Sequence, residues 1–154
     1  MNKVRFTPQE IIQREYRFGN YCWLHNKRGR SHGLVDIWDP RRIDDPYTLY
    51  LAVVGDGFSM PMELNPDILG AITDIKRTPS PKKFVSSTFE PFKVEMDEDK
   101  IHYIVSFNDV KIGRVRYIHQ LQNLYHDITG ADMAMPIREM LAPILWYPPE
   151  HIML

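Results

Sequence analysis

Six histidines, one cysteine and twenty acidic residues are the groups through which this chain could hold a metal or move a proton. Imidazoles converge on zinc from helical i, i+4 or strand i, i+2 spacing, and no pair of histidines here has either. His119 and His126 are seven positions apart, which on a helix separates them by two turns, about 10.5 Å. His25 and His32 flank an expected hairpin loop with Asp36 and Asp39 nearby, but a metal site needs three or four converging ligands. Histidines in turns and on the surface are the simpler reading, and neither a metal nor a cofactor is expected.

A nuclease pattern of two acids and a lysine around a divalent cation can be assembled from "NPD" at Asn65 to Asp67 and "EDK" at Glu98 to Lys100. In that class the second element lies on a core strand, whereas Glu98 and Lys100 fall in an acidic turn and Pro66 and Asp67 read as a helix start. Cys22, between Tyr21 and Trp23, lies mid-strand, and no serine has a nucleophile-elbow setting. The "GDG" at Gly55 to Gly57 is followed by "FSMPM" and not by a helix N-terminus, so it makes no phosphate loop. No catalytic residue is assigned.

Two polar groupings remain. Basic residues cluster at Lys27, Arg28 and Arg30, at Arg41 and Arg42, at Lys82 and Lys83, and at Arg114 and Arg116. With Tyr16, Tyr21, Trp23 and Trp38 they could serve a nucleic-acid surface on a small β-barrel, with Lys27, Arg28, Arg30, Arg114 and Arg116 as the candidate contacts. The formal net charge of -1 gives no basic excess, so the favoured reading is a solubilising coat. The second grouping lies in "YIHQLQNLYHDITG", Tyr117 to Gly130, where His119, Gln122, Asn123 and His126 share one face of a helical period. Glu and Lys would make a better solvated face, so these uncharged groups are either hydrogen-bonded within the fold or a binding surface for a partner.

The elements that must position these residues follow from periodicity and punctuation. "TPQEIIQREY" offers Thr7, Pro8 and Glu10 at capping-box spacing. "RFGNYCWLH" and "LVDIWD" flank a polar loop, a hairpin, and "YTLYLAVV" reads as a third strand. "NPDILGAI" is a short helix capped by Asn65, interrupted by Gly70. "RTPSPKK" is a loop, and "FEPFKVEM", "IHYIVSFNDV" and "KIGRVRY" form a meander of up to three antiparallel strands. Ile118, Leu121, Leu124, Tyr125 and Ile128 make a buried helical stripe closed by Gly130.

The 154 residues suit one domain. A single cysteine fits a reducing compartment, and neither a signal peptide nor a membrane span is read, so a cytoplasmic protein without membrane contact is expected. The fold class expected is α+β. Residues 1–133 form one domain with a small curled antiparallel sheet or partial barrel at the front, a meander and one main C-terminal amphipathic helix. Residues 134–154 form an apolar tail broken by Pro136, Pro143, Pro148 and Pro149, lying on the domain or on a partner subunit.

Three segments also carry a resemblance. "REYRFGNYCWL" resembles an "LRIGNYV" opening, "MELNPDILGAI" is similar to "PIPLTEEWLLKFGF", and "VRYIHQLQNLYHDITGADM" resembles "YVHQLQNLYFALTGEEL". These belong to a group of small uncharacterised proteins of Bacteroidetes genomes, phages and mobile elements, and order and spacing agree as far as Met133. His126 and Asp127 depart from the group's "FA", and the tail from Ala134 extends past its usual end. The resemblance brings no catalytic residue and no cofactor. The missing catalytic constellation, the charge-poor amide face and the apolar tail lead to the expectation of a non-enzymatic accessory or interaction module of a mobile element or phage, whose partner is a protein or a second copy, with a nucleic-acid-binding module and a metal-dependent nuclease as the alternatives.

Overall fold

A computed structural model describes residues 15–30, 33–54, 59–133, 135 and 144–146. The chain divides into two compact units: Met1–Pro61 with Leu141–Leu154, and Met62–Met140. Their boundary lies inside the span 1–133 that the sequence reads as one domain. Mixed helix and antiparallel strand confirm the α+β class, and among the described residues neither sheet closes into a barrel.

In the first unit, strand β1 (Tyr21–Arg30) pairs antiparallel with β2 (Gly33–Arg42), from Tyr21 opposite Arg42 to Arg30 opposite Gly33. The expected hairpin is present, but its strands run on through the residues read as a polar loop. At its base Gly19 adopts a φ of 89°, open to glycine at little cost, and its N–H donates to the Ile43 carbonyl at 2.7 Å. Short strand β3 (Ser59–Met60) pairs with β1 at Leu24 and Trp23. Strand β9 (Ile144–Trp146) pairs with β2 at Trp38, Ile37 and Asp36, giving the order β3-β1-β2-β9. That pairing places these three tail residues on the chain's own sheet.

"YTLYLAVV" is not a strand. Helix α1 spans Pro46–Val54. Its start is fixed by Asp45, whose carboxylate accepts from the Thr48 N–H and from the Thr48 hydroxyl, each at 2.8 Å, and by Pro46, whose missing N–H costs nothing in a first turn. The helix delivers Ala52, with Leu49 and Val53, onto a core of Tyr16, Cys22 and Ile43. Strand propensity in aromatic and branched residues mostly reports packing on a half-buried surface, and here the cap decides.

The second unit begins with helix α2 (Pro66–Ala71), whose Asn65 cap accepts from the Ile68 N–H at 2.8 Å as the sequence predicts. Five strands follow as a meander in chain order: β4 (Ile75–Arg77), β5 (Lys83–Ser86), β6 (Phe92–Met96), β7 (Tyr103–Phe107) and β8 (Val110–Val115). Two of them, β4 and β5, exceed the expected meander and take in Arg77 and Lys83 from the ends of the proline-rich loop. One face of the sheet buries Phe84, Phe92, Val94, Tyr103 and Val115.

Helix α3 spans Ile118–Thr129, the expected range, and ends on Gly130 at φ 74°. Its Tyr125 ring meets Phe92 edge-on at 5.1 Å between centroids. Gly113 of β8 leaves room for Leu124, since a Cβ there would lie 2.6 Å from the Leu124 Cδ1. The buried stripe is rotated from the one expected. Ile118, Leu121 and Tyr125 are in the core, but His119 and Gln122 are buried beside them and Ile128 is 39% exposed.

The helix start expected at Thr7 to Glu10, the "GDG" turn, His32 and the tail prolines lie outside the described residues.

Candidate interaction surface

The α3 face proposed from the sequence does not form one exposed surface. His119 and Gln122 are buried, Asn123 is half-buried, and only His126 is exposed. His126 Nδ1 lies 3.1 Å from the Asp132 carboxylate. Gln120, the next residue after His119, serves the fold itself. Its Oε1 accepts from the backbone N–H groups of Arg116 at 2.9 Å and Tyr117 at 3.1 Å, capping the helix from its third position. The HQLQNLY run thus supplies core residues, a cap and the Leu124 contact with Gly113.

The basic candidates divide between the units. Arg114 and Arg116, in the second unit, are engaged by carboxylates. Arg114 donates to Asp97 at 2.8 Å and to Asp99 at 2.7 Å, and Arg116 donates to Glu63 at 2.7 Å while lying over the Tyr117 ring. Each of these cations thus has an anion beside it. The Arg114 hydrogen bond holds the Asp97 carboxyl below its ordinary range. Asp99 is pulled lower still by the backbone N–H groups of His102 and Ile101. Lys27, Arg28 and Arg30 lie on the β1–β2 hairpin of the first unit.

The solvent face of the five-stranded sheet carries a cross-strand row of Lys76, Val85, Lys93, Ser106 and Lys111, over shallow grooves of about 450 and 390 Å³. Acids interleave with it: Lys93 pairs with Asp109 at 3.2 Å and Lys83 with Glu95 at 4.0 Å. Such mixed signs give solubility without a one-sided field.

Among the described residues, the groups weighed from sequence for chemistry do not come together in one centre. Asp67 sits in the first turn of α2 with its partner Arg77 3.8 Å away, while Glu98 and Lys100 belong to the β6–β7 turn, where Lys100 has φ 61°. Among the described residues no group of three His, Cys, Asp or Glu side chains could hold a metal ion. His25 packs against the Trp38 ring at 4.9 Å. Burial pushes the Cys22 thiol up to about 12, so it carries no thiolate at neutral pH.

What the sequence reading missed is the outer side of α1. The helix contains no charged residue, and while Leu49, Ala52 and Val53 turn inward, Tyr47 and Tyr50 are 70% and 59% exposed. Three positions apart, the two tyrosines are neighbours on one helix face. Phe18, 57% exposed, precedes the Gly19 that bonds to Ile43 just before the helix. The signal was the "DDPYT" start, a helix cap that would have turned an alternating pattern into a three-residue spacing.

Among the described residues no helix is long and apolar enough to cross a membrane. In comparisons with known proteins, no family model, no curated protein and no solved structure matches the chain.

Proposed function

We propose that the protein is a non-enzymatic accessory module that binds another protein through the outer face of α1. The observation that carries this is the exposure of Tyr47 and Tyr50 on a helix without a single charge. A helix apolar on all sides normally has all sides covered, and tyrosine is the residue type in which binding hot spots concentrate. The likeness of Val115 to Met133 to a group from Bacteroidetes genomes, phages and mobile elements supports a bacterial accessory setting, and the lone Cys22 supports a reducing cytoplasm.

The test is affinity capture of the tagged protein from lysate of its native host, with and without nuclease, read by mass spectrometry. A protein recovered in both conditions by the parent, and lost with a Tyr47→Ser, Tyr50→Ser variant of unchanged melting temperature, supports the reading. Equal recovery by parent and variant refutes it.

A further inference from the structure

The outer face of α1 offers a partner two aromatic rings, two hydroxyl groups and no charge. Among the described residues neither the Tyr47 nor the Tyr50 side chain has a hydrogen bond or a ring contact. At about 200 Å² for an aromatic side chain, exposures of 70% and 59% leave about 260 Å² of the pair open, and Phe18 at 57% brings the total to about 375 Å². A stable dimer or a folded-domain interface takes about 800 Å² from each side. The patch therefore fits a short linear segment and not a second copy of the chain.

The chemistry of the face narrows that segment. A helix bonds its own backbone N–H and C=O groups internally, so it has no ladder edge to receive an added strand. It carries no arginine to hold a phosphorylated or acidic motif. Nine residues make a ridge about 13.5 Å long, not a groove in which an amphipathic helix could lie. What the face supplies is hydroxyl donors on two neighbouring rings, with about 5 to 6 Å between their Cβ atoms. A proline-rich segment is the complement: its polyproline II backbone has no internal hydrogen bonds, its prolines have no N–H, and its carbonyls are free to accept. Aromatic surfaces take such preformed segments at small entropic cost. Charge enters at one end only. Asp45, immediately before the helix, is exposed and accepts from the Thr48 N–H and hydroxyl, which hold its carboxyl below the usual range, while Arg41 acts on it only at longer range. Its neighbour Asp44 pairs with Arg42 at 3.4 Å. Resting on the reading of α1 as the binding face, we infer that this face receives a proline-rich segment of the partner protein. Its prolines lie against Tyr47 and Tyr50, whose hydroxyls donate to its carbonyls, and a basic residue of the segment meets Asp45.

The experiment is fluorescence anisotropy of the purified full chain with three labelled probes: decaproline, decaproline flanked by arginines, and a glycine-serine peptide of equal length. Decaproline binds saturably and the glycine-serine peptide does not. Tyr47→Ser, Tyr50→Ser weakens decaproline about 30-fold or more, as loss of an aromatic anchor does. Tyr47→Phe, Tyr50→Phe keeps the rings, removes the donors and weakens it about 2- to 10-fold, which still decides the matter should the Ser variant not fold. Flanking arginines tighten binding about 2- to 5-fold, and Asp45→Asn, which still caps the helix, removes that gain. No saturable binding of decaproline, equal binding of the glycine-serine peptide, an affinity unmoved in the Ser and Phe variants, or an arginine gain kept in Asp45→Asn overturns the inference. Excess decaproline added to the lysate capture separates it from the broader reading. A protein that is lost with the Ser variant but not displaced by decaproline leaves α1 as the binding face and refutes only the proline-rich segment. Equal capture by parent and Ser variant refutes both.

Discussion

Replacing three residues of α3 one at a time separates the burial observed from the burial that apolar spacing implies. Leu121 is fully buried, Ile128 is 39% exposed and Gln122 is buried on the same side as Leu121. Leu121→Ala removes a packed side chain and leaves a cavity, which costs about 3 to 5 kcal/mol. Ile128→Ala removes a side chain already in partial contact with water, leaves no enclosed void, and gains a few tenths from alanine's better helix propensity, so its cost is about 1 kcal/mol or less. Gln122→Ala strips a buried amide from its hydrogen-bonding surroundings and costs about 1 to 3 kcal/mol. Against a total stability of about 5 to 15 kcal/mol these differences are large. Urea unfolding followed by far-ultraviolet circular dichroism resolves them, because at a slope of about 2 kcal/mol per molar the Leu121→Ala midpoint falls by roughly 2 M. Should Ile128→Ala cost as much as Leu121→Ala while Gln122→Ala costs nothing, the apolar stripe rather than the observed burial describes the helix, and the structural reading of HQLQNLY fails.

Two further outcomes follow from protonation. The folded-state carboxyls of Asp97 and Asp99 lie below their unfolded values, so their contribution to stability is complete above about pH 4 and is lost as pH falls through the lower folded values. In Arg114→Gln the Asp97 carboxyl moves back up towards its unfolded value, so melting temperature measured from pH 7 down to 2 starts to decline at the same pH but falls by less in total than in the parent. Cys22, with its thiol raised to about 12 by burial, stays unreactive to a thiol-specific disulfide reagent in the native protein at pH 8 and reacts at once in urea. Prompt native reactivity contradicts the burial of the strand.

How much of this was legible in the sequence depended on how local the deciding contact is. Helix α2 was readable because Asn65 and Pro66 state its start within two residues, and α3 because twelve residues of apolar period end on Gly130. Helix α1 has the same punctuation in Asp45 and Pro46, yet its tyrosines, leucines and valines alternate like a strand, and the tyrosine pair disappeared with it. The burial of His119 and Gln122 depends on what covers α3 from elsewhere in the fold, which no spacing within the helix states. The partners of Arg114 are not legible in the sequence because its acids, Asp97 and Asp99, lie 17 and 15 positions away and meet it only once the meander is in register. The three residues of β9 are too few to announce a strand in a segment that proline interrupts.

The return of the chain to its first unit has a consequence for synthesis. Everything from Met62 to Met140 emerges from the ribosome before Ile144 does, so the five-stranded meander can fold while the other sheet still lacks its last member. During that interval the outer edge of β2 at Asp36 to Trp38 has no ladder partner from this chain, and an open edge is a template for any extended segment nearby. A nascent chain stalled or cleaved before Ile144 would keep that edge open, which makes Ile144–Trp146 a late-arriving guard against misassembly.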